Sequence, residues 1–456
     1  MLDIKHLFHD TIVAHATGNS RSAIAVIRVS GARAFPIVEG IFKGKMDFEN
    51  TSHLVRYGSI VSDQNIIDEV LVCPFKSPKS YTKENVVEIS CHGSPIVVEL
   101  IINLIVSVGA RIAEPGEFTK RAFINGQLNL VQAEAISDLI ESNSESARKL
   151  AISHLKSGIS PKIFQIKSQI IHLLSYIELE LDFSEESIEF ADRNQLVELL
   201  IELQYECAEL IESFQFGNAV KKGFPVTIAG KPNAGKSTLL NALLNEERAI
   251  VSSQAGTTRD VIEGSLFIEG YEFRISDTAG LRDSEDFIEQ EGIRRSWDRI
   301  NHAGIILGIF DSSIEDGKEL ENLILSNSKP DTNHLILIAN KIDLISNTFE
   351  KRRYIGLGVS LKSKEGVKCV REELIKYVKK NYTPEQSVVS QIRHVKALEK
   401  CLEHAKNAHR ELLSMNTPDI IALEIRISMQ ALGELTGEIF NEEILDNIFS
   451  KFCIGK

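Results

Sequence analysis

The segment Gly230–Ser237, which reads GKPNAGKS, carries the strongest chemical signal in the chain. It fits the pattern GxxxxGK[ST] and stands between the apolar run VTIA and the helix-like run STLLNALL. A glycine-rich loop between a strand and a helix can direct backbone N–H groups at phosphates, with Lys236 reaching the terminal phosphates and Ser237 binding Mg²⁺. A purely structural glycine-rich turn is the alternative, and the strand–loop–helix context makes it the weaker one. The segment therefore predicts a nucleoside triphosphate site.

Two later motifs indicate that the base is guanine. Asp277–Gly280 (DTAG) ends the apolar run EFRIS, where a carboxylate can hold a Mg²⁺-bound water and the Gly280 N–H can sense a γ-phosphate. Asn340–Asp343 (NKID) ends the run HLILIA, and the Asp343 carboxylate can accept hydrogen bonds from N1–H and the exocyclic amine of guanine. Adenine lacks both donors and would leave that carboxylate unpaired. Ser360–Lys362 stands where a third guanine contact is expected, and this ordered set is typical of the translation-factor class of GTPases.

The segment Gly256–Asp260 (GTTRD) lies between these motifs, and its Thr258 is placed to complete Mg²⁺ coordination when a γ-phosphate is bound. An exposed polar loop is the alternative interpretation. Leu281 follows DTAG at the place where Ras-like enzymes carry a glutamine that orients the attacking water. Because a leucine cannot orient water, another group must do so. The acidic residues downstream, among them Glu289, offer carboxylates on a switch segment, although such a run is also typical of a solvated face.

Composition limits the classes of protein to which this chain can belong. It has 456 residues, 51 of them basic and 64 acidic, and the net charge of −13 argues against coating of nucleic acid by bulk charge while leaving room for a local basic patch. The most apolar stretch, residues 96–110, is interrupted by Glu99 and Asn103 and predicts an amphipathic helix, not a membrane span. The first residues do not resemble a secretory signal, and six scattered cysteines without a CxxC pair favour neither a zinc cage nor disulfides. We expect a cytoplasmic protein with no membrane partner.

Changes in sequence texture predict the domain organisation, and the length suggests about three domains. Residues 1–122 mix β-rich runs with turn signals and predict an α+β domain. Residues 123–218 and 381–456 have the apolar periodicity of long packed helices, whereas residues 219–380 alternate apolar strands with helix-length segments. The economical interpretation is a multidomain α/β protein in which a P-loop domain with a mostly parallel, Ras-like sheet is inserted into one discontinuous helical domain.

These motifs, together with segments near both ends of the chain, resemble the MnmE (TrmE) family of tRNA-modification GTPases, members of the TrmE-Era-EngA-YihA-Septin-like class. The segments GKPNAGKS, AGTTRD and DTAGLR are joined to a chain that ends FCIGK. The matching segments elsewhere are Asp10–Ala14, Ile27–Gly31, Ser80–Thr82, His92–Gly93, Pro115–Thr119, Arg121–Phe123, Gln132–Ala135 and Thr436–Glu438. The resemblance covers essentially the whole chain.

The resemblance implies a role in the first step of wobble-uridine modification in certain tRNAs. Members of the family attach an aminomethyl or carboxymethylaminomethyl group together with a flavin- and NADH-dependent partner, MnmG (GidA). The resemblance also implies a homodimer formed through the N-terminal domain, which binds a tetrahydrofolate derivative (5-formyl- or methylene-tetrahydrofolate), and a heterotetramer with MnmG. It implies activation by K⁺-dependent pairing of two GTPase domains, without an external activating protein.

Several family roles fall on matching residues of this chain. Asn233 resembles the K⁺-ligating asparagine, and a cation there could supply the charge that an arginine finger supplies elsewhere. Backbone oxygens around Ser252, Gln254 and Thr257 complete that site. Glu289 resembles the carboxylate that positions the attacking water through a second water. The predicted nucleotide-contacting residues are Asn233, Ala234, Gly235, Lys236, Ser237, Thr238, Ser252, Ser253, Gln254, Ala255, Gly256, Thr257, Thr258, Asp277, Thr278, Ala279, Gly280, Asn340, Lys341, Asp343, Ser360, Leu361 and Lys362.

The N-terminal domain carries the matches to the family's folate site. Arg28, Glu88 and the terminal Lys456 occupy positions of that site. Two departures concern the same site. The segment Gly18–Ala23 replaces a Pro-Pro-Gly-x-Gly-Gly segment, and Gln127 stands where a basic side chain commonly helps to bind folate.

Cys453 and the N-terminal domain favour modification chemistry over one alternative function, and the GTP motifs disfavour a second. Cys453 resembles a cysteine that the family needs for tRNA modification and not for GTP hydrolysis, so Lys236, Glu289 and Cys453 are the predicted catalytic residues. The first alternative is a GTP-switched assembly factor of the ribosome-maturation type, whose own chemistry stops at GTP. The second is a folate-dependent enzyme with a vestigial GTPase, which is disfavoured because every GTP-contact motif is intact.

Overall fold

Two β-sheets organise the described part of the chain. This computed structural model describes residues 10–18, 20–156, 160–182, 193–245, 263–277, 304–327, 334–345, 354–381, 388–414, 417–439, 442–450, 452 and 454–455. Contacts group the chain into a first unit, Met1–Ser137 with His154–Val197 and His404–Lys456, and a second unit, Asp138–Ser153 with Glu198–Glu403. The domain boundaries given by the sequence stay a prediction.

The first sheet is mainly antiparallel. Its strands and the nearby helices are β1 (Ile12–His15), β2 (Ile24–Ser30), α1 (Ala34–Ile41), β3 (Phe42–Lys43), β4 (Arg56–Ser62), β5 (Asn65–Phe75), β6 (Val86–His92), α2 (Pro95–Ser107), β7 (Arg111–Ile112) and α3 (Glu117–Ile124). The strand order is β3-β4-β5-β6-β2-β1-β7, and only the β1–β7 pair is parallel. Alternate residues of the strands, such as Ile27, Val72 and Ile89, pack with α1 and α2 in one buried core. The α+β character predicted for this segment is confirmed.

Helices fill most of the remaining chain outside the second sheet. They are α4 (Leu130–Glu141), α5 (Glu145–Lys156), α6 (Ser160–Asp182), α7 (Arg193–Glu212), α8 (Phe214–Lys222), α12 (Ile392–Leu413), α13 (Pro418–Thr436) and α14 (Glu442–Phe449). On α6 the predicted apolar face is present, since Ile170, Leu173 and Ile177 are buried. On α4 the apolar periodicity fails at Ile140, which is 45% exposed, whereas the charged Asp138, two residues earlier, is buried. The Asp138 carboxylate accepts hydrogen bonds from Lys221 and Gln391 at 2.6 and 3.1 Å.

The second sheet is mainly parallel. Its elements are β8 (Phe224–Ala229), α9 (Lys236–Asn245), β9 (Glu263–Ile268), β10 (Tyr271–Asp277), β11 (Ile305–Asp311), α10 (Lys318–Asn327), β12 (His334–Asn340), a 3₁₀ turn (Ile342–Leu344), β13 (Leu357–Val359) and α11 (Val367–Asn381). The strand order is β13-β12-β11-β8-β10-β9, in which all pairs except β9–β10 are parallel. One face packs against α9 and α11 and the other against α10. Burial on both faces explains the continuous apolar runs of β8, β11 and β12, so the predicted mostly parallel sheet is confirmed.

Residues 96–107 of the apolar stretch 96–110 lie in the amphipathic helix α2, as the sequence predicts. Val98, Ile101 and Ile105 are buried under the first sheet, whereas Ile96 and Leu100 are exposed. Within the described ranges, no helix combines the length and the apolar character that crossing a bilayer requires.

A buried arginine joins motif residues of the first unit into one ion network. The Arg121 side chain has no exposed surface, and its guanidinium contacts the carboxylates of Asp10 at 2.7 Å, Glu117 at 2.8 Å and Glu84 at 3.2 Å. Arg111 binds Glu117 at 2.6 Å from the other side and also contacts Asp10. The family-like segments around Asp10, Glu117 and Arg121 therefore form a structural network that joins α3 to the chain before β1.

Candidate functional site

The carboxyl ends of the parallel strands in the second sheet bring the predicted motifs to one edge. Strand β8 lies between β10 and β11. The next two strands in the chain, β9 and β10, therefore lie on one side of β8, and the strands from β11 to β13 lie on the other. Such a reversal of strand order marks the place where open α/β sheets bind ligands. The phosphate loop, Gly230–Ser237, follows β8, while Asp277 ends β10 and Asn340 ends β12.

Two glycines let the phosphate loop lie directly against its neighbours. A Cβ atom at Gly230 would overlap the carbonyl oxygen of Ile309, and this oxygen belongs to the backbone of β11 and cannot move aside. At Gly235 the φ angle is +110°, and a Cβ atom would overlap Nδ2 of Asn340. Because glycine alone fits both positions, the loop can approach β11 and the NKID motif closely.

Lys236 lies across the phosphate loop with its charge directed at the loop's own carbonyls. Its Nζ donates hydrogen bonds to the carbonyl oxygens of Gly230 at 2.8 Å and Lys231 at 3.0 Å. Lys236 is also the first residue of α9, whose N-terminal dipole adds positive potential at the same place. Asn233 in the loop is exposed, and Ser237 and Thr238 lie in the first turn of α9. The loop is thus built to bind an anion.

Asn340 joins three loops of the site from a buried position. Its Nδ2 donates to the carbonyl oxygen of Ala234 at 2.8 Å, and its Oδ1 accepts from the backbone N–H of Leu361 at 3.3 Å. Since Asn340 is only 4% exposed, these bonds satisfy an amide that would otherwise be buried without partners. Asn340 therefore connects the phosphate loop to the loop that contains Leu361, from its own position at the start of the NKID motif.

Asp343, the predicted guanine acceptor, is exposed and has its carboxylate held from behind. The Oγ of Ser360, which is fully buried, donates to Oδ1 of Asp343 at 2.7 Å. The Ser360 hydroxyl thus orients the Asp343 carboxylate, and the guanine contact predicted for the segment Ser360–Lys362 stays a prediction. Leu361 is buried beside it, and Lys362 is exposed. The arrangement presents one oriented carboxylate to a base with two adjacent N–H donors.

Comparison with known proteins decides the family. The model of the MnmE helical domain matches residues 130–453, and the model of the GTP-binding protein TrmE N-terminus matches residues 11–127. The tRNA modification GTPase MnmE of Cytophaga hutchinsonii is 44% identical over 98% of both chains. The protein of the same name from Flavobacterium johnsoniae is 43% identical over 98% of this chain and 99% of the relative. The chain belongs to the MnmE family of tRNA modification GTPases.

Membership of the MnmE family confirms two of the sequence predictions. The enzyme class, a GTPase that takes part in tRNA modification, agrees with the names of the relatives. The multidomain α/β fold agrees with the two matching family models. A solved structure of an Aquifex aeolicus Era variant bound to GDP.AlF4- is also similar, at 24% identity and a TM-score of 0.26 over 40% of this chain and 66% of that one.

Some of the residues predicted for this MnmE-family chain lie outside the described residues, and those predictions stay predictions. They are Ser252, Ser253, Gln254, Ala255, Gly256, Thr257, Thr258, Thr278, Ala279, Gly280, Glu289, Cys453 and Lys456. The predicted nucleotide residues that are described, from Asn233 to Thr238, Asp277, Asn340 to Asp343, and Ser360 to Lys362, all lie on loops or at the ends of strands and helices at the same edge of the sheet.

The donors present at this edge of the MnmE-family chain suit Mg²⁺. Ser237 offers a hydroxyl in the first turn of α9, and Asp277 is the last residue of β10, opposite Ile228 of β8 in the strand register. Hydroxyl and carboxylate oxygens are the hard ligands that Mg²⁺ prefers, completed by phosphate oxygens and water. The residues therefore fit the predicted ion.

Sequence reasoning missed a set of charged residues that form ion pairs at the nucleotide edge, the edge of the second sheet at which the phosphate loop, Asp277 and Asn340 lie. Lys231 of the phosphate loop contacts Glu315 and Glu319 at 2.7 Å each, and these two carboxylates raise the pKa of Lys231. Asp311, the last residue of β11, contacts Lys341 of the NKID motif at 2.6 Å. The signal that could have found Asp311 is its position, because polar residues at the carboxyl ends of parallel strands line ligand sites.

A second cluster, in the first unit, contains two of the predicted folate-site residues. The Nε and Nη2 atoms of Arg28 donate to Oε1 of Glu88 at 3.0 and 2.8 Å. The Arg28 guanidinium also lies 5.4 Å from the ring centroid of Tyr81 and 5.7 Å from that of Phe118. Its Nη1 donates to the carbonyl oxygen of Gly455 at 3.3 Å, which brings the C-terminal segment to this cluster. Gln127, beyond α3, is exposed, and its backbone N–H donates to the carbonyl oxygen of Ala122 at 2.8 Å.

Proposed function

We propose that this chain hydrolyses GTP in order to drive the addition of a carboxymethylaminomethyl or aminomethyl group to the wobble uridine of certain tRNAs, in a complex with the flavoprotein MnmG. The observation that carries the proposal is the similarity to tRNA modification GTPases over 98% of the chain. The nucleotide edge supports it, because the phosphate loop, Asn340 and the oriented Asp343 carboxylate lie together. We further propose that the protein works in the cytoplasm as a homodimer and forms a heterotetramer with MnmG.

Hydrolysis is proposed to proceed by in-line attack of water on the γ-phosphate. When bound, Mg²⁺ would neutralise phosphate charge, held by Ser237 and Thr258. Lys236 would shift its donors from the carbonyls of Gly230 and Lys231 to the terminal phosphates and so stabilise the charge that develops in the transition state. Glu289 is the proposed residue that positions the attacking water through a second water, since Leu281 has no polar group for this purpose.

The decisive experiment is nucleoside analysis of bulk tRNA from a strain that lacks the gene. We expect the modified wobble uridine to disappear and to return when the wild-type gene is restored. Restoration with a variant that cannot hydrolyse GTP should leave the uridine unmodified. Unchanged wobble uridines in the deletion strain would instead support a GTP-switched assembly factor.

GTP turnover is expected to depend on the monovalent cation. A cation bound at Asn233 and the proposed backbone oxygens of Ser252, Gln254 and Thr257 would place a positive charge beside the developing negative charge. We expect kcat in K⁺ to exceed kcat in Na⁺ by about 10-fold or more at equal ionic strength. Steady-state phosphate release measures this, with Asn233→Ala as the variant that should lose the difference. Equal rates in the two salts would contradict activation by K⁺.

The Arg28 cluster is proposed to bind a tetrahydrofolate derivative, either 5-formyl- or methylene-tetrahydrofolate. A pterin ring carries adjacent N–H donors that suit the Glu88 carboxylate. Arg28, whose guanidinium lies near the rings of Tyr81 and Phe118, holds that carboxylate by hydrogen bonds. Lys456 and Gln127 are proposed to complete the site. Cys453 is proposed to act in the modification step, since the neighbouring Gly455 lies beside Arg28.

Replacement of Arg28 by alanine should weaken binding of 5-formyl-tetrahydrofolate. Loss of a charge-assisted contact in a partly buried site corresponds to about a 10-fold higher Kd, measurable by calorimetry on the full chain. Arg56→Ala is the matched control, because Arg56 is an exposed arginine on β4 of the same sheet. If the Arg28 and Arg56 variants bind the folate equally well, the site lies elsewhere.

A further inference from the structure

The end of β11 and the turn that follows it contact the NKID motif, Asn340–Asp343, through both side-chain and backbone atoms. Asp311 contacts Nζ of Lys341 through Oδ2 at 2.6 Å. Ser312 donates its backbone N–H and its hydroxyl to the carbonyl oxygen of Asn340, at 3.0 and 2.6 Å. These contacts lie on the two sides of the peptide bond that joins Asn340 to Lys341. The backbone direction at the start of the NKID motif is therefore determined by the turn after β11.

Hydrogen bonds from Ser313 fix the position of the Asp311 carboxylate, so that this carboxylate can in turn fix the position of Lys341. Its Oδ1 accepts hydrogen bonds from the backbone N–H of Ser313 at 3.1 Å and from the Ser313 hydroxyl at 2.6 Å. Its side chain is 13% exposed. Burial acts to raise the pKa of the Asp311 carboxyl, but the bonds from Lys341 and Ser313 outweigh it and hold that pKa below its usual value. The carboxylate thus stays charged opposite the Lys341 ammonium at neutral pH.

The backbone of Lys341 has a conformation that contacts with its surroundings must maintain. Lys341 has a φ angle of +64°, in the left-handed region that non-glycine residues adopt only where the surroundings impose it. Two residues later, Asp343 must present its carboxylate to the base from the short 3₁₀ turn that Lys341 caps. Release of Lys341 to an ordinary conformation would redirect the chain into this turn and move the Asp343 carboxylate away from Ser360.

We propose that Asp311, acting through Lys341, is a positioning residue for guanine recognition. The inference rests on the proposed nucleotide site and adds a residue outside its sequence motifs. Asp311 need not touch the nucleotide. Its carboxylate holds Lys341 in the left-handed conformation, and Ser312 holds the preceding carbonyl, so that Asp343 meets the base at a fixed position.

The selectivity between GDP and IDP tests this role in the full chain. Guanine offers Asp343 two donors, whereas hypoxanthine lacks the exocyclic amine, so the ratio of the two dissociation constants reports the position of the Asp343 carboxylate. Asp311→Asn keeps the shape of the side chain and removes its charge. We expect it to weaken GDP binding about 10-fold and to lower the preference for GDP over IDP about 3-fold. The ratio does not depend on the folded fraction.

A double-mutant cycle and a matched control make the test specific. If Asp311 acts through Lys341, Asp311→Asn should add little to Lys341→Met, and the two effects should be strongly non-additive. Asp316→Asn is the control, an acid in the same segment whose side chain contacts Lys318 and not the NKID motif. Additive effects, or an unchanged GDP-to-IDP preference in Asp311→Asn, would overturn the inference. A wild-type chain that binds no GDP would overturn the proposed nucleotide site and the inference with it.

Discussion

Replacement of Lys236 by alanine should nearly abolish GTP hydrolysis while the fold is retained. The ammonium of Lys236 is the positive side chain placed over the phosphate loop at the start of α9, held by the carbonyl oxygens of Gly230 and Lys231. Its removal would take away one of the proposed positive partners of the terminal phosphates, a loss that is larger in the transition state, where negative charge develops. We expect a loss of about 100-fold or more in kcat/KM, the scale seen when a preorganised electrostatic contact is deleted.

Lys231 provides a matched control for Lys236 within the same loop. Its ammonium is directed at Glu315 and Glu319 and away from the interior of the loop, and half of its side chain is exposed. Exposed ion pairs contribute little, so Lys231→Ala should change kcat/KM by no more than about 3-fold. Phosphate release gives kcat/KM for both variants, and a fluorescent guanine nucleotide gives their affinities. If Lys236→Ala retained near-normal turnover, the assignment of the phosphate loop would fail.

Replacement of Arg121 by methionine should have the largest effect on stability. The Arg121 guanidinium is fully buried and balances the carboxylates of Asp10, Glu84 and Glu117. Methionine fills much of the same volume but removes the only guanidinium that the cited contacts give to the largely buried Glu84, and leaves the buried Glu117 with Arg111 alone. Breaking a buried ion pair from one side costs about 3–5 kcal/mol, because the remaining charge stays buried. Urea denaturation of the full chain at neutral pH measures the loss, and Arg56→Met, at an exposed position on β4, should change it little.

The pH dependence of the same variant separates an ionic from a packing role. Burial acts to raise the pKa values of Asp10 and Glu117, but the hydrogen bonds and charges of Arg111 and Arg121 outweigh it and lower both. Carboxyls with lowered pKa values stabilise the folded chain above their ordinary values, and this contribution disappears as the pH falls through the lowered ones. The difference in free energy of unfolding between wild type and Arg121→Met should therefore become smaller as the pH falls. A difference independent of pH would indicate that Arg121 contributes by packing alone.

The local parts of the site were predictable because their signals are short in sequence. The phosphate loop needs a strand, a glycine-rich turn and a helix within about twenty residues, and the runs before Gly230, Asp277 and Asn340 form the strands expected. Apolar runs of this length identify buried parallel strands, since both faces of the sheet are covered. Helix α2 was equally readable from its interrupted apolar stretch, residues 96–110.

The contacts that tune the site were not predictable, because each joins residues far apart in the chain. The pairing of Asp311 with Lys341 depends on the parallel register that sets Asp311 beside Asn340. Ser360 reaches Asp343 because β13 pairs with β12, and Arg28 meets Glu88 through the antiparallel register of β2 and β6. No local pattern fixes a register, since it is set by the packing of whole strands. The support that Ser360 gives to Asp343 was therefore not predictable from the sequence.

The sequence by itself determined the family, the nucleotide, the sheet that carries the nucleotide site and the order of its motifs. Only the tertiary structure decided which polar side chain supports which. It assigned Asn340 to holding loops together, Asp311 to a charge beside the NKID motif, and Arg121 to a buried network. The physical reason is that motif chemistry resides in short segments whose backbone geometry is local. The support of those segments comes from long-range packing, in which buried charges and amides must find partners wherever the fold places them.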